Sequence, residues 1–292
     1  MFTLAHLSDP HLAPLPSPRL GALISKRLTG WINWQRKRRF VHVRSVLDTL
    51  VADLKAQNAD HIAVTGDLTN IALKKEFSRA RDWLDALGAP ENVSVIPGNH
   101  DVYLSEGMAF ALTQWGPYMG NDDGTVGFPY LRRRGDLALI GLSSGIATAP
   151  FMATGRVGEA QLAKLGPLLD AMKKEGCFRV VMVHHPPISQ AKSHKRLIDA
   201  AALKQVIAEH GAELLLHGHD HLAMLNWLAD PESNGVPAVG VPSASAAPGM
   251  SHDAAAYNLY MIDGAPGAWT CEMVTRGVTP SGDVGEQKRV VL

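Results

Sequence analysis

The chain has 292 residues, enough to bury a large core, and its 46% hydrophobic and 19% charged residues are ordinary for a soluble globular protein. No run of about 18 apolar residues occurs, so the sequence predicts no membrane-spanning helix. The net charge is zero, with 28 Lys and Arg against 28 Asp and Glu. Eight of the cations lie between Pro10 and Leu47, where no acidic residue occurs, so one segment is strongly basic.

The cysteine content and the first residues indicate the compartment. Two cysteines, Cys177 and Cys271, give no disulfide framework and no paired metal motif, which favours a reducing compartment. The N-terminus has no basic stretch followed by an apolar run, and a cleaved leader would remove the polar residues that follow the first strand. We therefore expect a cytoplasmic protein.

Strand and helix signals alternate in the first half of the chain, and strand signals dominate its last quarter. Short β-branched or apolar runs predict strands over residues 2–8, 60–65, 93–96, 130–134, 137–142, 178–183, 213–217, 222–228, 237–241, 257–262 and 269–275. Helical spacing of apolar residues predicts helices over residues 42–57, 74–87, 105–115, 158–174 and 195–210. Two mixed sheets packed face to face satisfy both halves. The predicted fold is α/β, a four-layer α/β/β/α sandwich of two mixed β-sheets flanked by helices.

Five short polar islands follow predicted strands. They are Asp9-Pro10-His11, Gly66-Asp67, Gly98-Asn99-His100-Asp101, His184-His185-Pro186 and Gly218-His219-Asp220-His221. Residues at the carboxyl ends of strands in an α/β sheet converge at one edge, so we expect these side chains to gather there. Carboxylates, one amide and several imidazoles are a ligand set for two hard or borderline divalent metals.

The spacing within the islands supports such a site. In an extended segment, residues i and i+2 point to the same side, so Asp9 and His11 can hold one ion together. The same spacing directs His219 and His221 the same way, one to each metal. A single carboxylate at Asp67 can bridge two cations about 3.5–4 Å apart, the separation of two-metal hydrolytic sites.

The five islands, in this order, closely resemble the signature of the calcineurin-like metallophosphoesterase family. That signature is Asp-x-His, Gly-Asp, Gly-Asn-His-Asp/Glu, a lone His and Gly-His-x-His, and the match covers roughly residues 2–221. Two further details, His-His-Pro-Pro at residues 184–187 and Gly-Arg-Val-Gly at residues 155–158, resemble the cyclic-nucleotide phosphodiesterase-like (class III) branch.

The resemblance implies a centre of two metal ions with Asp67 as the bridging ligand. The other implied ligands are Asp9, His11 and His221 for one ion, and Asn99, His184 and His219 for the second. His185 is the alternative to His184, which we prefer because the strand leads directly to it. Six other histidines are expected to be ordinary hydrogen-bonded or exposed residues: His6, His42, His61, His210, His217 and His252.

Two residues of the third island are implied to act on the substrate. His100 would contact the substrate phosphate and stabilise or protonate the leaving oxygen, and Asp101 would orient His100. In the implied reaction a metal-bridging hydroxide attacks phosphorus in line, since metal coordination lowers the pKa of water from about 15.7 to roughly 7. The ligand types suit divalent or trivalent Mn, Fe or Zn, and they leave the choice among these metals open.

The substrate class has three alternatives. The branch favours a phosphodiesterase that hydrolyses cyclic nucleotides or small glycerophosphodiesters. The second alternative is a phospholipase C-like hydrolase of a lipid-linked phosphodiester or pyrophosphate. The third is a non-catalytic metal-binding scaffold.

The basic segment leaves its own alternatives open. We expect residues 1–292 to form one metallophosphoesterase domain, with a basic amphipathic cap at about residues 12–40 that overhangs the metal site. The charges of the cap could be solvated or steer an anionic substrate. Alternatively, residues 19–44 could meet anionic lipids at the inner membrane face, because Lys and Arg beside Trp and Leu suit an interface. Nucleic acid is the weakest partner class, and a homodimer is also open.

Overall fold

The computed structural model describes residues 1–229, 235–249 and 253–292. Its strands are β1 (Phe2–Leu7), β2 (His61–Val64), β3 (Val93–Val95), β4 (Tyr130–Arg134), β5 (Leu137–Gly141), β6 (Phe178–Met182), β7 (Leu214–His217), β8 (Met224–Leu228), β9 (Val236–Gly240), β10 (Ala256–Asp263), β11 (Thr270–Val278) and β12 (Val284–Val291). Its α-helices are α1 (Arg27–Asn33), α2 (Arg39–Val41), α3 (Arg44–Ala56), α4 (Lys74–Leu87), α5 (Gly107–Trp115), α6 (Glu159–Lys174) and α7 (Ala200–His210). None of the described helices is long and apolar enough to cross a membrane.

The strands form two six-stranded mixed sheets, which confirms the predicted fold class. The first has the order β12-β11-β10-β1-β2-β3, with β1, β2 and β3 parallel and the others antiparallel. The second has the order β4-β5-β6-β7-β9-β8, in which β5, β6, β7 and β9 run parallel between two antiparallel edge strands. The carboxyl ends of β1, β2, β3, β6 and β7 each lead into one polar island.

Side-chain alternation along the central strands builds the layers. Val180 and Leu214 belong to the core that joins the two sheets, whereas Val181 and Leu215 pack in a second core with α6 and α7. All four side chains are fully buried. Because both faces of these parallel strands are covered, the strands read as continuous apolar runs in the sequence.

Two element predictions were wrong. The last strand, Val284–Val291, was not predicted because four consecutive exposed residues, Glu286–Arg289, interrupt the apolar pattern at this edge of the sheet. Charged residues are typical of such edges, where they discourage pairing with another chain. Helix α7 begins at Ala200 rather than near residue 195, because residues 193–195 form a separate 3-10 turn and Arg196 is extended.

The basic segment forms one nearly continuous helical run. A 3-10 turn at Leu20–Leu23 precedes α1, and a π-helical turn at Trp34–Arg38 joins α1 to α2. From here on, the cap means residues 20–41, the helical part of the segment predicted at about residues 12–40. Its role as an insertion at about residues 12–40 of a single domain stays a prediction.

Two side chains fasten the cap to the body. Trp34 is buried, and the Arg27 guanidinium donates to the backbone carbonyls of Ile71 at 3.0 Å and Ala72 at 2.6 Å. At the other end, the Val43 N–H donates to the Ser245 carbonyl at 2.9 Å. The path of the cap across the strand ends is therefore fixed by contacts with residues distant in sequence.

Candidate metal centre and active site

The five islands converge at the edge where the parallel strands end. On one side, His221 Nε2 lies 3.2 Å from Asp9 Oδ1 and 3.3 Å from His11 Nε2. Asp67 Oδ2 lies 3.8 Å from His11 Nε2 and 3.5 Å from His184 Nε2. Asp67 therefore stands between two groups of donor atoms, the position that a bridging carboxylate needs.

The second group forms around the amide of Asn99. Its Oδ1 lies 3.2 Å from His184 Nε2 and 2.8 Å from His219 Nδ1. The structure thus brings together all seven residues that the sequence predicts as metal ligands, in the two sets that were predicted.

The donor set fits two cations. Two atoms that bind the same ion at about 2.1 Å lie about 3–3.5 Å apart, and most of the donor separations above fall near that range. Asp9 Oδ1 is buried and accepts no hydrogen bond, so it lacks a partner that a cation would supply. Asp9, His11, Asp67 and His184 are almost completely buried, and their burial would exclude competing water ligands. That these seven residues bind metal stays a prediction.

Backbone carbonyls set the orientation of three of the imidazoles. Each faces a carbonyl with its outer nitrogen: His11 Nδ1 with Thr69 at 3.1 Å, His184 Nδ1 with Thr65 at 2.6 Å, and His219 Nε2 with Lys195 at 2.7 Å. A carbonyl only accepts, so the outer nitrogen carries a hydrogen and the inner nitrogen is the one that a metal ion would take. This arrangement is the usual second coordination shell of a metal-binding histidine.

Five of the predicted ligands have backbone conformations that L-residues rarely adopt. Their φ angles are positive: Asp9 52°, His11 37°, Asp67 56°, His219 69° and His221 56°. Each such residue costs about 1–3 kcal/mol and persists only where the surroundings hold it in place. This backbone strain is concentrated at the predicted ligands, which indicates that the loops are conformed for function.

Two glycines leave room for the carboxylates. Gly66 has a φ of 96°, and a Cβ added there would lie 2.6 Å from the Gly98 nitrogen. A Cβ added at Gly218 would lie 2.4 Å from Asp9 Oδ2 and 1.9 Å from Ser8 Oγ. The glycines of the islands are thus required by close approach of the loops.

Burial and the carboxylates set the charge states in opposite directions. Burial lowers the pKa of His11 well below its ordinary value and that of His219 to about 4, so both stay neutral, the form that binds metal. Burial would also lower the pKa of His184, but the adjacent Asp67 carboxylate raises it to about 10. Asp67 therefore attracts positive charge into the centre, and a bound cation would replace the proton on His184.

His100 and Arg38 form a pair beside the ligands. His100 Nδ1 lies 2.5 Å from the Asn70 carbonyl and therefore carries the hydrogen, so Nε2 accepts from Arg38 Nη1 at 2.9 Å. Arg38 Nε and Nη2 are buried and have no hydrogen-bond partner. Burial, with Arg38 next in effect, lowers the pKa of His100 to about 3. The His100 ring lines the cleft, and its role towards substrate stays a prediction.

The prediction that Asp101 orients His100 is wrong. The Asp101 carboxylate accepts the backbone N–H groups of Gly98 at 2.9 Å, Thr69 at 2.9 Å and Leu68 at 3.3 Å. It makes no contact with the imidazole, which the Asn70 carbonyl orients instead. Burial raises the pKa of Asp101 to about 7. Asp101 therefore ties together the two loops that carry Asp67 and Asn99.

The ring nitrogens of His185 bond to residues outside the two donor sets. Its Nδ1 lies 2.8 Å from Ser144 Oγ and its Nε2 lies 3.2 Å from the Ala153 carbonyl. The structure thus places His184, rather than His185, against Asp67 and Asn99.

Sequence reasoning missed two residues of the site, Arg38 and His42. His42 was expected to be an ordinary histidine, but its ring lies 4.4 Å from that of His11, and it can share a cation with His11 and His221. Neither residue belongs to an island. The only signal was the position of the basic segment directly after Asp9 and His11.

Of the remaining histidines of that group, His6, His61 and His210 are hydrogen-bonded as expected, and His252 lies outside the described residues. His6 and His61 hydrogen-bond to Thr65 Oγ1 and Ser94 Oγ, at 2.9 and 2.8 Å. His210 pairs with Asp170.

The centre opens into a cleft of about 1790 Å³. The cap forms one wall, and residues 151–153, 188–191 and 219–226 contribute to the opposite wall. Arg38, His42, His100 and Asp67 also line it, so a substrate that reaches the centre enters through this cleft.

Comparisons with known proteins agree with this geometry. The family described as Calcineurin-like phosphoesterase matches residues 2–223. A probable cyclic nucleotide phosphodiesterase from Synechococcus is 30% identical over 182 residues, which is 59% of this chain and 62% of that protein. The match thus spans less than two thirds of the length of that relative.

Two solved structures share the fold. A dimetal phosphatase from Danio rerio has a TM-score of 0.64 at 16% identity, over 99% of this chain and 98% of its own. A purple acid phosphatase from yellow lupin has a TM-score of 0.60 at 12% identity, over 99% of this chain and 53% of its own. The family match covers most of the chain, and the chain belongs to the calcineurin-like phosphoesterase family, whose members are metal-dependent phosphoester hydrolases.

Proposed function

We propose that this protein hydrolyses phosphodiesters at a centre of two metal ions. The observation that carries the proposal is the position of Asp67 between two complete donor sets, with Arg38 and His100 facing the same cleft. Bound there, two cations would neutralise charge on a phosphoryl group and lower the pKa of a water towards about 7. The choice among Mn, Fe and Zn stays open.

The residues of the chain divide the remaining work. Arg38 offers two free N–H donors in a planar fork, which matches two oxygens of one phosphate. His100 is held by Asn70 with Nε2 towards the same point, so in its protonated form Nε2 would donate to the substrate phosphate or to the leaving oxygen. These two side chains bond to each other, and a phosphate bound between them would replace that bond.

A water-soluble diester is the first substrate class. The Synechococcus relative is named for cyclic nucleotides, and the predicted branch also favours small glycerophosphodiesters. Five cationic side chains of the cap and the opposite wall line the cleft and would attract such anions: Lys26, Arg36, Lys37, Arg38 and Lys195.

A lipid-linked phosphodiester or pyrophosphate is the second class, and the size of the cleft favours it. Pockets for drug-sized ligands have volumes of about 300–1,000 Å³, well below that of this cleft. Apolar side chains line a large part of it, among them Ile32, Phe40, Phe151, Ile188 and Leu222. A cyclic nucleotide would leave most of this apolar surface uncovered.

Phosphorus NMR on the manganese-loaded protein tests the proposal and separates the two classes. The mixture contains cyclic AMP, glycerophosphocholine and phospholipid in mixed micelles, with p-nitrophenyl phosphate as a monoester. Loss of a soluble diester signal would support the first class, and loss of the phospholipid signal alone would support the second. Hydrolysis of the monoester with every diester intact would overturn the proposal, and the His100→Ala variant controls for contaminating enzymes.

A further inference from the structure

We propose that the mouth of the cleft rests on an anionic lipid bilayer. The surface that would make this contact, here called the docking face, consists of four apolar and three cationic side chains: Leu20, Ile24, Phe40, Phe151, Arg36, Lys37 and Arg39. The inference extends the proposed function, because the cleft would then open towards the membrane.

The docking face exposes large apolar side chains to an unusual degree. Leu20 and Ile24 are each 87% exposed, Phe151 is 81% exposed and Phe40 is 55% exposed. Among the described residues, eight of the thirteen exposed large apolar side chains belong to the cap or line the cleft. Such a concentration on one face marks an interaction site rather than the scattered exposure of an ordinary surface.

Contacts with the body bring the two halves of the docking face together. Lys26 lies two residues after Ile24. Its Nζ donates to Thr148 Oγ1 at 2.7 Å and to the Met152 carbonyl at 3.1 Å. This pair of bonds holds the start of the cap against the loop that carries Phe151. Phe40, Phe151 and Lys26 all line the cleft, so the docking face borders it.

The cations beside these groups are available to a partner. Arg36, Lys37 and Arg39 are exposed, and none of them forms an ion pair with a carboxylate among the described residues. Arg39 instead donates to Gln35 Oε1 at 3.1 Å and stacks over Phe40, 4.7 Å from the ring centre. Exposed apolar side chains flanked by Lys and Arg are the composition of segments that lie in the headgroup region of an anionic bilayer.

The anchors of the cap keep this composition exposed. Arg27 and Trp34 fasten the cap near its middle, and the Ala247 N–H donates to the Val41 carbonyl at 2.8 Å near its end. With the cap held in this way, Leu20 and Ile24 stay in solvent.

Two other occupants explain less of the docking face. A nucleic acid would account for the cations but leaves Leu20 and Ile24 without a purpose. A second copy of the chain in a two-fold contact would place Arg36, Lys37 and Arg39 against the same three cations, which repel. An anionic bilayer satisfies the apolar and the cationic groups together.

Flotation of the metal-loaded protein with vesicles tests the proposal. We expect binding to vesicles of phosphatidylcholine and phosphatidylglycerol at 7:3, and weak binding to phosphatidylcholine alone. Leu20→Ser/Ile24→Ser should lower the partition coefficient roughly tenfold or more, because two exposed apolar anchors are lost. Arg36→Gln/Lys37→Gln/Arg39→Gln should lower it by about 10²-fold, at about fivefold for each cation.

Matched variants control for general effects. Val291→Ser replaces an apolar side chain exposed on β12, and Lys164→Gln/Lys174→Gln/Lys204→Gln removes three exposed cations of α6 and α7. Both should bind vesicles as the parent protein does. Leu20→Ser/Ile24→Ser should also hydrolyse a water-soluble diester at the parental rate, since neither residue lines the cleft.

The outcomes separate the docking face from the proposed function. Absent vesicle binding, or binding that neither docking-face variant reduces, would overturn the membrane inference. Binding to single-stranded DNA without binding to vesicles would overturn it in favour of nucleic acid, and a dimer dissolved by Leu20→Ser/Ile24→Ser would do so in favour of a second copy. Vesicle binding by a protein that hydrolyses no diester would overturn the proposed function and leave the docking face standing.

Discussion

The ligand loops and the cap border the same cleft, but they are held in place by different means. The loops follow buried strands. Their side chains are fixed by a backbone with positive φ angles and by backbone carbonyls that accept from the outer nitrogens of the imidazoles. The cap is helical and exposed, and a few long side chains such as Arg27 and Lys26 fasten it. Rigid placement suits metal ions, whose ligands must meet within tenths of an ångström. Placement by long side chains suits groups that meet a variable substrate.

The comparison assigns separate tasks to the two regions. Substitutions of the predicted ligands on the loops should change metal content, whereas substitutions in the cap should change substrate binding and leave the metals in place. Each prediction below tests this division.

The largest effect is expected for Asp67→Ala. Its carboxylate stands between both donor sets, so its loss should remove both ions and reduce turnover below detection. Elemental analysis of the purified protein, with turnover in parallel, measures this. Asp263→Ala, a change of the same kind at an exposed residue, should retain both ions. A fully metallated Asp67→Ala protein would contradict the bridging assignment.

His184→Ala and His185→Ala should differ in metal content. His184 contacts both Asp67 and Asn99, so its loss should remove about one of two ions per chain. His185 is bound to Ser144 and Ala153, so His185→Ala should retain both and lose less than about tenfold in turnover. Elemental analysis of the pair measures the difference. The reverse result would exchange their roles.

His100→Ala should retain both ions and lose roughly 10²–10⁴ in turnover, the usual contribution of proton transfer in general acid–base catalysis. Steady-state kinetics with measured metal content tests this expectation. His210→Ala removes a histidine of α7 that pairs with Asp170 of α6, and this variant should be fully active. Unchanged turnover in His100→Ala would refute the role of His100.

Arg38→Gln should weaken substrate binding without removing metal. Two charge-assisted hydrogen bonds to the phosphate would be lost, at about 1.5–3 kcal/mol each, so kcat/KM should fall at least about 10²-fold at unchanged metal content. Arg38→Lys keeps the charge but not the planar fork, and it should recover part of this loss. Arg289→Gln on β12 is the matched control. Loss of metal in Arg38→Gln would contradict the division between loops and cap.

The sequence predicted the loops well because their signal is local. A ligand residue such as Asp67 or Asn99 directly follows a buried strand, and strand ends in an α/β sheet share one edge. The family pattern gave the residue types at these ends but not their hydrogen bonds. Asp101 was therefore predicted to bond to His100, whereas it accepts hydrogen bonds from backbone N–H groups.

The cap could not be predicted in the same way. The positions of Arg38 and His42 depend on where the cap crosses the strand ends, which Arg27 and Trp34 set through residues far away in sequence. A helical run with cations on several sides carries no pattern that singles out one of them. The unpredicted strand β12 has a related cause, since its exposed face lacks the alternation by which strands are recognised.

The ligands are divided between the two sheets, with Asp9, His11, Asp67 and Asn99 after strands of the first and His184, His219 and His221 after strands of the second. Each ion would take donors from both sheets, so two bound ions would cross-link the two sheets at their interface. Separation of the two sheets would release the ions before either sheet unfolds. The rate at which a chelator strips the metal would then report how often the two halves of the molecule part.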